Sequence, residues 1–149
     1  MEFRRILVPI DFSMQSRSSI LCGKKLAGSL GGKLYLLNVI DCTTVESVAN
    51  IHLISKKSLK EQLIQKAKKK FSILEKEYDL NEVDYEFLIR TGGVFMQILQ
   101  AAREFEADLI VVHSRGGSKM SHLMFGSTSE KLVHYSHSPI LVLKENPKF

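Results

Sequence analysis

The residues best suited to chemistry lie in the last third of the chain. The apolar run Leu109-Ile110-Val111-Val112 leads into His113-Ser114-Arg115-Gly116-Gly117. Nine residues separate Gly116 from Gly126, and Gly126-Ser127-Thr128-Ser129-Glu130 then opens an amphipathic segment. A glycine-bearing loop after a strand, followed by small hydroxyl residues at a helix start, suits an anion such as phosphate. The helix N-terminus carries partial positive charge and unpaired N–H donors, and glycine lets the backbone approach closely. Ser127, Thr128 and Ser129 can offer hydroxyls and N–H groups, and one of them is expected to cap the helix whatever the ligand. Arg115 and Lys119 are the nearest cations, Arg115 presenting a planar fork of donors. The other candidate is Asp11, which follows a short apolar run closed by Pro9 and should project from that strand end. The alternative reading is a turn residue or a helix-N-terminal acid, and the ligand role is the one expected, because an aspartate is a poor choice for a purely structural buried site.

The elements needed to position these groups are legible as alternating strands and helices. Ile6-Leu7-Val8 is a short strand, and a helix follows from about Gln15 to Leu30, capped by Ser13 or Ser16 and stopped by Gly31-Gly32. Leu34 to Ile40 is continuously apolar, the mark of a strand buried on both faces. Asp41 to Ser55 has no clear period and reads as loop. Leu59, Leu63, Ala67, Phe71, Leu74 and Tyr78 recur at helical spacing. Val83 to Ile89 alternates like an edge strand, and Thr91-Gly92-Gly93 reads as a turn. Val94, Ile98, Ala102 and Phe105 mark a third helix, Asp108 to Val112 a fourth strand, Ser127 to Tyr135 a fourth helix, and Ile140 to Leu143 a fifth strand. Five strands alternating with four helices predict a single α/β domain over 1–149, a parallel doubly wound sheet with helices on both faces. Ligands of such sheets sit beyond the carboxyl ends of the strands, where strand order reverses. The loops after the first and fourth strands should share that crevice.

Composition narrows the function classes. The chain has 149 residues, 44% hydrophobic and 25% charged, with a formal net charge of +5. Eight lysines (56, 57, 60, 66, 68, 69, 70 and 76) fall on one helix, diluted by Glu61, Glu75 and Glu77 and without interleaved stacking aromatics, so neither nucleic acid nor membrane is an expected partner. No apolar run approaches the roughly 20 residues of a bilayer span, the start lacks signal-peptide features, and a cytoplasmic location is expected. Cys22 and Cys42 have no metal or redox spacing and read as buried free thiols. His52, His122, His134 and His137 show no metal-ligand spacing. Neither a G-x-S-x-G elbow nor a P-loop is present; at most a slow ATPase is expected.

With these residues in view the chain resembles the universal stress protein family over essentially its whole length. The resemblance rests on Ile6 to Ser13, Leu36 to Asp41, Ala107 to Val112, and Gly126 to Lys131 with Ser138 to Val142 after it. It implies an adenine nucleotide alpha hydrolase-like fold, a stress-response role, a homodimer formed through the last strand, and, in some members, ATP or AMP bound at the motif G-x2-G-x9-G-[S/T]. Gly116, Gly126 and Ser127 match that motif; its first position here is His113. The implied site takes Pro9, Ile10 and Asp11 from the first strand's end, with Asp11 beside the adenine or ribose. Val39 offers its backbone to the adenine edge. Val112, His113, Arg115 and Gly116 come from the fourth strand and its loop, and Gly126, Ser127, Thr128 and Ser129 from the helix start. The implied ligand is ATP, ADP or AMP, with Mg²⁺ as its companion ion. The ATP pyrophosphatases of the same architecture carry a Ser/Gly-rich loop where this chain has Pro9 to Ser13. Two function classes follow: a nucleotide-binding regulatory module, or a nucleotide-independent dimeric interaction protein whose site His113 blocks.

Overall fold

The computed structural model describes residues 2–114 and 126–144. In chain order the elements are β1 (Arg5–Ile10), α1 (Met14–Leu30), β2 (Lys33–Asp41), α2 (Cys42–His52), α3 (Lys56–Glu77), β3 (Asp84–Gly92), α4 (Val94–Glu104), β4 (Leu109–His113), α5 (Ser127–Tyr135) and β5 (Ile140–Leu143), with a short 3₁₀ turn at Leu80–Glu82. The strands form one parallel sheet in the order β3-β2-β1-β4-β5. The chain builds outward from β1 to β3, crosses back, and builds outward again through β4. The reversal falls between β1 and β4.

Period-two alternation within the strands divides the core. Ile6, Val8, Leu34, Leu36, Leu109 and Val111 face α1 and α3, meeting Ile20, Ala27, Phe71 and Leu74. Leu7, Leu37, Ile110 and Val112 face the opposite way, meeting Ile98, Ala101 and Ala102 of α4 and Leu132 of α5. Strands buried on both faces therefore read as unbroken apolar runs. Helix α1 is capped by Ser13, whose hydroxyl accepts from the Ser16 N–H at 3.2 Å, and it closes on Gly31 at φ 61°. Gly23 presses this helix onto the sheet: a Cβ there would come within 2.7 Å of Val8 Cγ2 and 2.9 Å of Leu34 Cδ1.

Four expectations are corrected. The stretch read as loop from Asp41 to Ser55 contains α2. Asp41 caps it through Thr43 N–H and the Thr44 hydroxyl, and Val45 and Ala49 bury against Leu59 and Ile40. Thr43, Thr44, Val45 and Val48 are poor helix formers, so packing on α3 rather than propensity makes this helix. The helices beside the 3₁₀ turn accordingly number five among the described residues. Thr91 and Gly92 belong to β3 because their backbones pair with Ile40 and Asp41 of β2, and Gly93 alone turns the chain into α4. Cys22 is buried, but Cys42 is exposed at the start of α2. The eight lysines of α3 are all exposed, and β3 is an edge strand as its alternation suggested. Among the described residues no helix is long and apolar enough to cross a membrane.

Candidate functional site

The sheet is stapled at one end of its reversal and parted at the other. At the base, one carboxylate oxygen of Asp108 accepts from the Arg4 and Arg5 N–H groups at 3.1 and 2.8 Å. The other accepts from the Arg5 guanidinium at 2.9 Å, and the Asp108 N–H donates to the Arg5 carbonyl at 2.8 Å. Hydrogen bonding to Arg5 holds the Asp108 carboxyl below the usual carboxylate range, against a smaller opposing effect of burial. Ladder pairing between β1 and β4 then covers only Ile6 with Leu109 and Leu7 with Ile110. On their outer sides the two strands stay paired, β1 with β2 up to Ile10 and β4 with β5 up to His113. Beyond Leu7 the two halves of the sheet separate.

The gap is a crevice of about 230 Å³, somewhat below small-ligand pockets, which run from about 300 Å³ upward. One wall is apolar, made by Leu37 and Val39 of β2, Val94 and Ile98 of α4 and Val112 of β4. The rim is polar: Asp11 from the end of β1, His113 from the end of β4, and Gly126 to Ser129 from the start of α5. Ser13, the N-cap of α1, Ser16 and Ser19 within that helix, and Pro9, Ile10 and Leu132 complete the lining. Helices from opposite faces of the sheet reach one cavity only because the strands between them part.

Local bonding places each rim group. The Asn38 side chain, buried in β2, donates to the Ile10 carbonyl at 2.9 Å and fixes the end of β1. Asp11 is exposed, and its Oδ1 accepts from the Ser13 N–H at 2.9 Å. Phe12 beside it takes φ 63°, which turns the chain sharply into α1. At the far side, the Gly126 N–H donates to the Ser114 carbonyl at 2.5 Å, and the Ser114 N–H to the Leu143 carbonyl at 2.8 Å. The Ser129 hydroxyl, expected as a cap or ligand donor, donates instead to the His113 carbonyl at 2.7 Å and ties α5 to the end of β4. Among the described residues no side chain caps α5; its N-cap is Gly126, which corrects the expectation that a hydroxyl of Ser127, Thr128 or Ser129 would serve. Glycine at that position brings no side-chain acceptor of its own to the leading N–H groups of the helix.

A family model described as the universal stress protein family matches residues 2–144. The chain belongs to the universal stress protein family. Universal stress protein YxiE of Bacillus subtilis is 31% identical, over 95% of this chain and 99% of that one. Universal stress protein MJ0577 of Methanocaldococcus jannaschii is 25% identical over 95% of both chains. A solved structure of MJ0577 matches at 26% identity with a TM-score of 0.84, over 99% of this chain and 100% of its own. The universal stress protein of Archaeoglobus fulgidus in complex with dAMP shares the fold, at 18% identity and TM-score 0.67, over 95% of this chain and 98% of that one.

Of the residues the resemblance implied, Pro9, Ile10, Asp11, Val39, Val112, His113, Gly126, Ser127, Thr128 and Ser129 all line the crevice. Arg115 and Gly116, with Gly117, Lys119 and His122, lie outside the described residues. Sequence reading missed Val94, Ile98, Asn38 and Ser19. The first two carry only a helix-core signal. Asn38 sits inside an otherwise apolar strand, and that lone amide was the signal available.

Proposed function

We propose that this universal stress protein binds an adenine nucleotide in the crevice between β1 and β4. The observation that carries the reading is the parting of the two strands into one cavity with an apolar wall and the start of α5 on its rim. The apolar wall of Leu37, Val39, Val94, Ile98 and Val112 suits a flat base. Asp11, anchored by the Ser13 N–H, can accept from sugar hydroxyls. The leading N–H groups of α5 and the hydroxyls of Ser127 and Thr128 suit phosphates. Ser129 serves that end through its backbone, since its hydroxyl is engaged by His113. Mg²⁺ fits this arrangement as an ion carried by the phosphates: Asp11 is the one carboxylate lining the crevice among the described residues, and Mg²⁺ commonly takes one or two carboxylates with phosphate and water. The Archaeoglobus fulgidus complex with dAMP supports an adenine nucleotide as ligand. The same reading has two copies of the chain pairing through the edge strand β5.

One observation favours the second reading, a nucleotide-independent interaction protein. His113 lines the crevice where the family's nucleotide motif begins with glycine. A thermal shift with ATP and Mg²⁺, and with AMP, decides between them. At about 100 times the Kd, mass action adds ~2.7 kcal/mol, which raises Tm by about 5–10 °C in a chain of this size. No rise at millimolar nucleotide sinks the first reading. A rise that appears only in His113→Gly assigns the loss of binding to the imidazole.

A further inference from the structure

Helix α1 brings three serines, Ser13, Ser16 and Ser19, to the crevice at spacings of three residues, so they share one face of the helix. Two of them are accounted for by the fold. The Ser13 hydroxyl accepts from the Ser16 N–H, and the Ser16 hydroxyl donates to the Ser13 carbonyl at 2.9 Å. Ser19 is different. It is 1% exposed and among the described residues its hydroxyl has no hydrogen-bond partner, although a serine at mid-helix can bond back to the carbonyl four residues earlier. A buried polar group left unpaired is destabilising, and such groups in a folded chain call for an explanation. Here the orphan belongs to a residue that lines the crevice, and Ile10 and Val112 are among the buried apolar residues that line it too.

We infer that the Ser19 hydroxyl is a ligand-reading group, which hydrogen-bonds an uncharged atom of the nucleoside half of the ligand when that half fills the crevice. This contact rests on the adenine-nucleotide reading and extends it to α1. A phosphate is the wrong partner for this position. Its charge would be desolvated with one neutral hydroxyl to meet it, whereas the start of α5, where Ser127 is exposed, suits an anion. A ring edge or a sugar hydroxyl carries no such cost and gains a bond in a low-dielectric setting. Ser19 thereby gives the crevice selectivity for ligands with a hydrogen-bonding group at that point, because a ligand lacking it leaves the hydroxyl unpaired.

The test is calorimetric titration of AMP, 2′-deoxy-AMP and purine riboside monophosphate into the parent, Ser19→Ala and, as a control on the same helix, Ser18→Ala. Ser19→Ala is expected to bind AMP roughly tenfold more weakly, with Ser18→Ala unchanged. The analogue that binds parent and Ser19→Ala equally names the partner group: the sugar 2′-hydroxyl if it is the deoxynucleotide, the 6-amino group if it is the purine riboside. The ligand-free Tm of Ser19→Ala should equal or exceed that of the parent, since the change removes an unpaired buried hydroxyl. A lower ligand-free Tm gives Ser19 a role in the fold and overturns the contact. Equal AMP affinity in parent and Ser19→Ala overturns the contact and leaves nucleotide binding standing. A parent that binds none of the three nucleotides overturns both.

Discussion

At the scale of single residues, the groups that hold the crevice in shape are separate from those that line its mouth. Asp108 gathers the N–H groups of Arg4 and Arg5 and the Arg5 guanidinium at the base of the β1–β4 seam. It keeps the two strands registered where the other end must part. Its carboxyl titrates below its unfolded value, so the stabilisation is complete above about pH 4 and fades as pH falls through the lower folded value. Asp108→Asn should therefore cost about 1–2 kcal/mol in urea unfolding at pH 7. The difference from the parent should shrink toward zero in strong acid. A pH-independent difference would mean that the carboxylate charge is not what the clamp uses. Asn38 plays the matching part at the open end, where its amide bond to Ile10 sets the strand terminus from which Asp11 projects. Asp11 itself was visible in the sequence because it follows the apolar run from Ile6 to Ile10, although Pro9, expected to close that strand, lies inside β1 opposite Leu37. The partner of Asn38 was not, since the Ile10 carbonyl lies on another strand.

At the scale of elements, α1 and α5 do most to define the site, and each depends on close contact with the sheet. Gly23 lets α1 settle onto Val8 and Leu34, and this seating brings Ser16 and Ser19 to the crevice. Gly23→Ala puts a methyl within 2.7 Å of Val8, a β-branched side chain that is wholly buried. Against the better helix propensity of alanine, overpacking is expected to dominate, with a loss of about 1–3 kcal/mol measured by denaturant unfolding. Nucleotide affinity should fall with it as α1 is lifted from the sheet; a stabilised variant would contradict the tight seating. The elements also show where local sequence is a poor guide. Helix α5 was bounded correctly from its apolar spacing and from Ser127. Helix α2 was not seen, because its β-branched residues speak against a helix and only the buried stripe of Val45 and Ala49 against α3 speaks for one.

At the scale of the whole molecule, the edge strands differ in what they leave open. β3 is an edge of nine residues and β5 an edge of four, and Leu141 of β5 is 36% exposed. A short apolar edge with unpaired backbone groups is suited to a second strand. In the proposed pairing of two chains through β5, Leu141→Lys places a charge in the seam. Light scattering on a sizing column should give the mass of two chains for the parent and of one for the variant. A single-chain mass for the parent removes the pairing from the proposed function.

Strand alternation, continuous apolar runs and glycine stops were enough to specify the parallel sheet, its two helical layers and the crevice at the reversal, because each follows from local burial on one face or two. The spacing from Gly116 to Ser127 likewise pointed to the helix whose start lines the cavity. What the linear chain could not decide was how far β1 and β4 stay paired, that Ser129 would bond the His113 carbonyl, and that Ser19 would be buried with no partner among the described residues. These depend on where one element ends relative to another far away in sequence. Such distances follow from the packing of α1, α4 and α5 around the parted strands, and no local pattern encodes them.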